Sequence, residues 1–132
     1  MDEPPAAGSA WADGRAFEAY ATRYLSDLWA VDLAARPVTL RGGVSKKFDL
    51  VSEDRKIVGD AKFYKNISTP AAKWSTIAEY VWLLQHFEEA DRRFVVVFGL
   101  DREVGGRWLQ RFRPLTEGVE FFFLDESGLA VM

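Results

Sequence analysis

FDLVSEDRKIVGDAKFYK, residues 48–65, is the stretch on which the reading of this chain turns. Two short apolar runs flank a charged turn, the pattern of a β-hairpin. Each run nonetheless carries an aspartate, Asp49 or Asp60, among Val, Ile, Leu and Phe. Opposite residues of an antiparallel hairpin share a constant index sum. A two- or four-residue loop centred between Asp54 and Arg55 sets Asp49 across from Asp60, Val51 across from Val58 and Lys47 across from Lys62. The two-residue period of a strand then puts all six on one face.

Directly opposed carboxylates have Cβ atoms about 4.5–5.5 Å apart and repel one another, so the pair calls for a cation between them. Two hard oxygen ligands suit Mg²⁺ or Mn²⁺. Lys62, two residues beyond Asp60, projects to the same side and can hold a phosphate oxygen or orient an attacking water. Gly59 and Ala61 leave only small groups on the reverse face, which favours close packing there. The competing reading is a solvated hairpin face on which Asp49 and Lys62, or Asp60 and Lys47, form diagonal ion pairs of little energetic value.

Outward from the hairpin, RAFEAYATRYLSDLWA spaces Phe17, Tyr20, Ala21, Tyr24, Leu25 and Leu28 as one helical stripe beginning at Gly14. Pro37 breaks that pattern, and VTLRGG supplies a first strand ending at Gly42 and Gly43. After the hairpin, Thr69 is placed to cap and Pro70 to open a long helix over AAKWSTIAEYVWLLQHFEEA. RRFVVVFGL is a near-continuous β-branched and aromatic run, the mark of a central strand covered on both faces. REVGGRWLQRFRPL reads as a shorter, Gly-interrupted helix stopped by Pro114, and GVEFFFLD as a closing buried strand. The expected class is α/β, a mixed central sheet flanked by helices in the order αβββαβ(α)β. Residues 1–12 form an expected loose tail and 13–132 a single domain.

Composition narrows the chemistry. No run approaches the roughly 18 apolar residues of a membrane span, and the acidic, Pro- and Ala-rich N-terminus lacks a secretory pattern, so a cytoplasmic protein without membrane attachment is expected. With no Cys, thiol catalysis, Cys-based zinc sites and iron–sulfur ligation are excluded. The one histidine, His86, cannot build a His-rich metal site, and neither nucleotide-binding glycine motif is present. What remains is carboxylates, lysines and a hard cation. The net charge of −3 is unevenly spread: residues 41–73 hold eight basic and four acidic side chains, while both flanking segments are acidic. A local positive field matters more to a phosphate substrate than the total charge does. Lys46, Lys47 and Lys65, by charge and position, and Lys73, near the start of the second long helix, are the candidate contacts to a nucleic-acid backbone.

The two acidic positions and the Asp60-Ala61-Lys62 tripeptide resemble the signature of the PD-(D/E)XK nuclease superfamily, the restriction-endonuclease-like fold, whose element order the chain matches over roughly residues 14–125. Phe48 stands where the motif's proline would be. The resemblance implies that Asp49, Asp60 and the backbone carbonyl of Ala61 bind the metal. It further implies that Glu18 in GRAFEAY joins them directly or through water, and that Lys62 positions the nucleophile. The activity implied is hydrolysis of DNA phosphodiesters by metal-activated water, with Mg²⁺ or Mn²⁺ as cofactor. Some members also use a Gln on the second helix near the active site, which makes Gln85 a possible accessory residue. Small members of this class are often dimeric, so a homodimer or a larger protein complex is an expected partner. Two other readings stay open: a catalytically inactive module of this fold that binds nucleic acid or protein, and a small hydrolase of another phosphoester. The Trp residues and Phe121–Phe123, at strand and helix spacing, read as core rather than as base-stacking platforms.

Overall fold

The computed structural model describes residues 13–64, 70–98 and 102–132. The expected tail over 1–12, the Thr69 cap and Lys65 fall outside these. The chain forms an α/β domain with a six-stranded mixed sheet in sequential order. Helix α1 (Gly14–Trp29) precedes the strands β1 (Leu33–Thr39), β2 (Ser45–Ser52) and β3 (Ile57–Phe63). Then come α2 (Pro70–Gln85), β4 (Arg92–Phe98), α3 (Arg102–Phe112), β5 (Glu120–Asp125) and β6 (Gly128–Val131). Strands β1, β2 and β3 pair antiparallel, β3, β4 and β5 parallel, and β6 turns back antiparallel on β5.

Helix α1 buries Phe17, Ala21 and Leu25 against one face of the sheet, where Leu50, Phe94, Val96, Phe122 and Leu124 meet them. The opposite face packs Val51, Val58, Val95 and Val97 under Trp74, Ile77, Val81 and Leu84 of α2 and Leu109 of α3. β4 is thus buried on both sides, as its unbroken apolar run demands. Each fully buried Phe or Leu here contributes about 1.5–3 kcal/mol of transfer free energy. Gly105 lets α3 close on α2, since a Cβ there would stand 2.6 Å from the Trp74 ring. Trp74 stacks on Trp108 across that contact at 4.9 Å.

Five features differ from the expectation. Leu28 faces solvent at 54% exposure, and Trp29 takes its place by meeting Phe94 edge-on. β1 begins at Leu33 and runs through Pro37, which an edge strand tolerates because no inner neighbour needs the missing N–H. Arg41–Gly43 then form a 3₁₀ turn rather than strand, with Gly42 and Gly43 both at positive φ. α2 stops at Gln85, and β6 was not anticipated at all. No helix among the described residues is long and apolar enough to cross a membrane.

Candidate metal and phosphate site

The hairpin has the expected four-residue turn, Glu53 to Lys56, closed by Asp54 Oδ1 accepting from Lys56 N–H and from Ser52 Oγ. Its register is also as expected, with Val51 opposite Val58 and Leu50 opposite Gly59. Beyond Leu50 the ladder gives way. Against β1, β2 advances from Val51 to Phe48 while β1 advances only from Ala34 to Arg36, so β2 carries a bulge at Asp49 and Leu50.

The bulge overturns the expectation that Asp49, Asp60, Lys47, Lys62, Val51 and Val58 all share a face. One extra residue reverses the alternation. Phe48 therefore joins Val51 on the α2 side, and Lys46 follows, its Nζ 4.9 Å from the Tyr80 ring centre. Lys47 turns instead toward Glu18 of α1 and pairs in the ladder with Pro37, not with Lys62.

The bulge does not separate the two aspartates. It slots their side chains into the gap between β2 and β3, in place of backbone rungs. Asp60 Oδ1 accepts from the Asp49 N–H at 3.3 Å, and Asp49 Oδ2 accepts from the Ala61 N–H at 3.1 Å. A strand residue's N–H and C=O point to the same side, so the Ala61 carbonyl is aimed at this gap as well. Glu18, next to buried Phe17 and about one turn from buried Ala21, brings its carboxyl within hydrogen-bonding reach of Asp49, and Asp49 stands in the same relation to Asp60. Three carboxyls thus lie in a row across α1, β2 and β3.

Electrostatics in the row follow from crowding and burial. Asp60 is 2% exposed, and its acidity is pushed to about 7, first by burial and then by the Asp49 charge, with Lys62 opposing. Burial raises Glu18 as well, reinforced by Asp49. Burial, the largest single influence, disfavours the Lys62 ammonium, but the charge and hydrogen-bonding contact of Asp60, with Tyr80 and Tyr64 behind them, together outweigh it and the group is raised. Lys62 Nζ lies 2.6 Å from Asp60 Oδ2, close but poorly angled, so that oxygen is buried without a directed donor. Over the other side of Nζ lies the Tyr80 ring, 3.2 Å to its centre.

These residues fit a divalent cation. The donors are all hard oxygens, mutually repelling, and one of them is a buried oxygen with no directed hydrogen bond. Among the described residues no three Asp, Glu, His or Cys side chains converge on one point. The suitable set is therefore Asp49, Asp60 and the Ala61 carbonyl, with Glu18 at the edge of the row. Mg²⁺, which keeps several of its waters, needs no larger protein set.

Of the remaining candidates, Lys46 reaches the Tyr80 ring beside Lys62, and Lys73 lies over the ring of Tyr64 at 5.3 Å, whose buried hydroxyl has no hydrogen-bond partner. Gln85 is not brought to the site: its amide donates to the carbonyls of Leu115 at 2.9 Å and Glu117 at 3.1 Å. His86 binds the Trp82 carbonyl. Sequence reasoning missed Tyr80 and Tyr64, which at helix and strand spacing look like ordinary core. Two clefts, of about 610 Å³ and 520 Å³, lie elsewhere and are lined by none of Glu18, Asp49, Asp60 and Lys62. No protein-family model, curated protein or solved structure matches the chain.

Proposed function

We propose that the protein is a metal-dependent nuclease that hydrolyses DNA phosphodiesters, built on a restriction-endonuclease-like core. The observation that carries this reading is the row Glu18–Asp49–Asp60 with Lys62 at its buried end. A hydrophobic sheet has no structural use for three touching carboxyls, whose mutual repulsion and desolvation only cost stability. A divalent cation, when bound, polarises the scissile phosphate and offsets the charge that builds on its oxygens. Asp49 and Asp60 hold it, together with the Ala61 carbonyl. Glu18, its pKa raised by burial and by the Asp49 charge so that it holds a proton more readily than an ordinary glutamate, is suited to taking or returning a proton at the edge of the row. Lys62 stays an ammonium and orients the attacking water or a phosphate oxygen. Lys46 and Lys73 contact the backbone of the nucleic acid.

None of these residues lines either of the two clefts, and Glu18 and Asp49 are half-buried, which suits a polymer passing over the row better than an enclosed small phosphoester. The test is incubation of the protein with supercoiled, linear and branched DNA in Mn²⁺ and in Mg²⁺, beside Asp60→Ala. Nicking or cutting by the wild type that Asp60→Ala abolishes supports the reading. Inertness on every substrate sinks it.

A second reading is a non-catalytic module of the same core that binds nucleic acid or protein. The short Lys62–Asp60 contact favours it, because the ammonium stands where one ligand oxygen must be free. DNA binding that is indifferent to Mn²⁺, without cleavage, is the result that would select it.

A further inference from the structure

We propose that Tyr80 is a positioning residue for Lys62, holding the ammonium against Asp60 by the face of its ring. The catalytic half of this inference rests on the nuclease reading above; the holding contact does not.

Lys62 ends in a flexible four-carbon stem, and among the described residues one anionic partner, Asp60, meets its ammonium. The Lys62 side chain is nonetheless only 13% exposed, and the Tyr80 ring lies 3.2 Å from Nζ, measured to its centre. The ring is itself fixed. Phe48, carried to this face by the β2 bulge, meets it edge-on with centres 6.3 Å apart and planes at 73°. α2 anchors it from behind through Ile77, Val81 and Leu84, all buried.

An aromatic face is the appropriate clamp here. It attracts a cation through its quadrupole yet carries no net charge. A fourth carboxylate in its place would neutralise Lys62 and compete for a divalent ion. The ring constrains the stem while leaving the N–H bonds and the unit charge available to a water or a phosphate oxygen. Lys46 approaches the same ring at 4.9 Å, the longer of the two contacts, so it shares the platform without displacing Lys62.

The experiment has two arms. In the first, NMR of lysine-labelled protein in EDTA follows the Lys62 ε-protons, assigned by comparison with Lys62→Arg. Stacking at the observed distance places them upfield of every other lysine's. Tyr80→Phe keeps that shift and Tyr80→Leu removes it. A wild-type Lys62 resonance among the other lysines overturns the proposal, and this measurement needs neither Tyr80 variant to fold. In the second, DNA cleavage is measured at saturating and limiting substrate. Tyr80→Leu lowers kcat about ten- to a hundredfold, the scale of misplacing a reacting group by an ångström. KM stays within about twofold, because no substrate contact is lost, and Tyr80→Phe restores kcat. Equal loss in Tyr80→Phe and Tyr80→Leu would assign the effect to the hydroxyl and overturn the ring's role. A Tyr80→Leu protein that loses the upfield shift but keeps kcat overturns the catalytic half alone. An inert wild type overturns the nuclease reading with it, and the NMR arm then decides the holding contact by itself.

Discussion

Asp60 is the residue at which burial and function conflict most directly. Its pKa in the folded chain, about 7, is raised above the ordinary 3.8 by burial first and by the Asp49 charge second. The folded state therefore binds this proton more tightly than the unfolded chain does. The stabilisation is fully present below about pH 4 and is lost as pH rises through 7. Glu18, also raised, acts in the same direction. Asp54 and Asp125 are lowered and act in the opposite sense, but they are ionised throughout this window. In EDTA the urea-unfolding free energy is expected to fall by roughly 2–4 kcal/mol between pH 4.5 and 8. Asp60→Asn is expected to flatten most of that slope, and Mn²⁺ to restore stability at pH 8 in the wild type only. A wild type without a slope would show that Asp60 is not held as described. Asp49 and Asp60 were legible in the sequence because a charge inside an apolar strand is conspicuous. Tyr80 was not, since a tyrosine beside Ile77, Val81 and Leu84 has the spacing of core and reveals its cation only in three dimensions.

Among the elements, the hairpin shows what local sequence can and cannot specify. Its turn, its register up to Leu50 and the small reverse face at Gly59 all follow from neighbouring residues. The last of these has a sharp consequence, because a Cβ on Gly59 would stand 2.3 Å from the ring of fully buried Phe94. Phe94 is wedged against Trp29 and Phe122 and cannot retreat. Gly59→Ala is expected to cost about 1–3 kcal/mol by overpacking, measured by chemical denaturation. The bulge at Asp49 was not legible, because it arises from pairing with β1, a strand whose own start lay five residues ahead of the expected one. Gln85 is the complementary case. The resemblance singled it out as a possible accessory residue, but its partners, Leu115 and Glu117, lie thirty or more residues away. Gln85→Ala is expected to lose about 0.5–1 kcal/mol of stability, because water can replace the amide at these two exposed carbonyls, with cleavage per folded molecule unchanged.

For the whole molecule, the order of helices and strands was readable because each element keeps one periodicity from end to end. The closing β6 escaped notice because four residues, Gly128 to Val131, show no period on which to decide. Charge was readable too: an acidic chain concentrates its basic residues in the segment that builds the site. Binding should accordingly be local and salt-sensitive. Replacing Lys46 and Lys73 by alanine is expected to reduce the slope of log affinity against log salt by about 1 per lysine, in the absence of cleavage, by fluorescence anisotropy on duplex DNA. An unchanged slope would move the interface to another surface. Lastly, each aspartate in the gap is divided in its allegiance: one oxygen is clipped to a neighbouring amide, Asp49 or Ala61, and the other is bound to no amide, that of Asp60 lying against the Lys62 ammonium. Those two amides are a built-in gauge. Whatever draws on the spare oxygens must disturb the clipped ones, so occupancy registers as displaced Asp49 and Ala61 resonances while Val51 and Val58, on intact rungs, stay put.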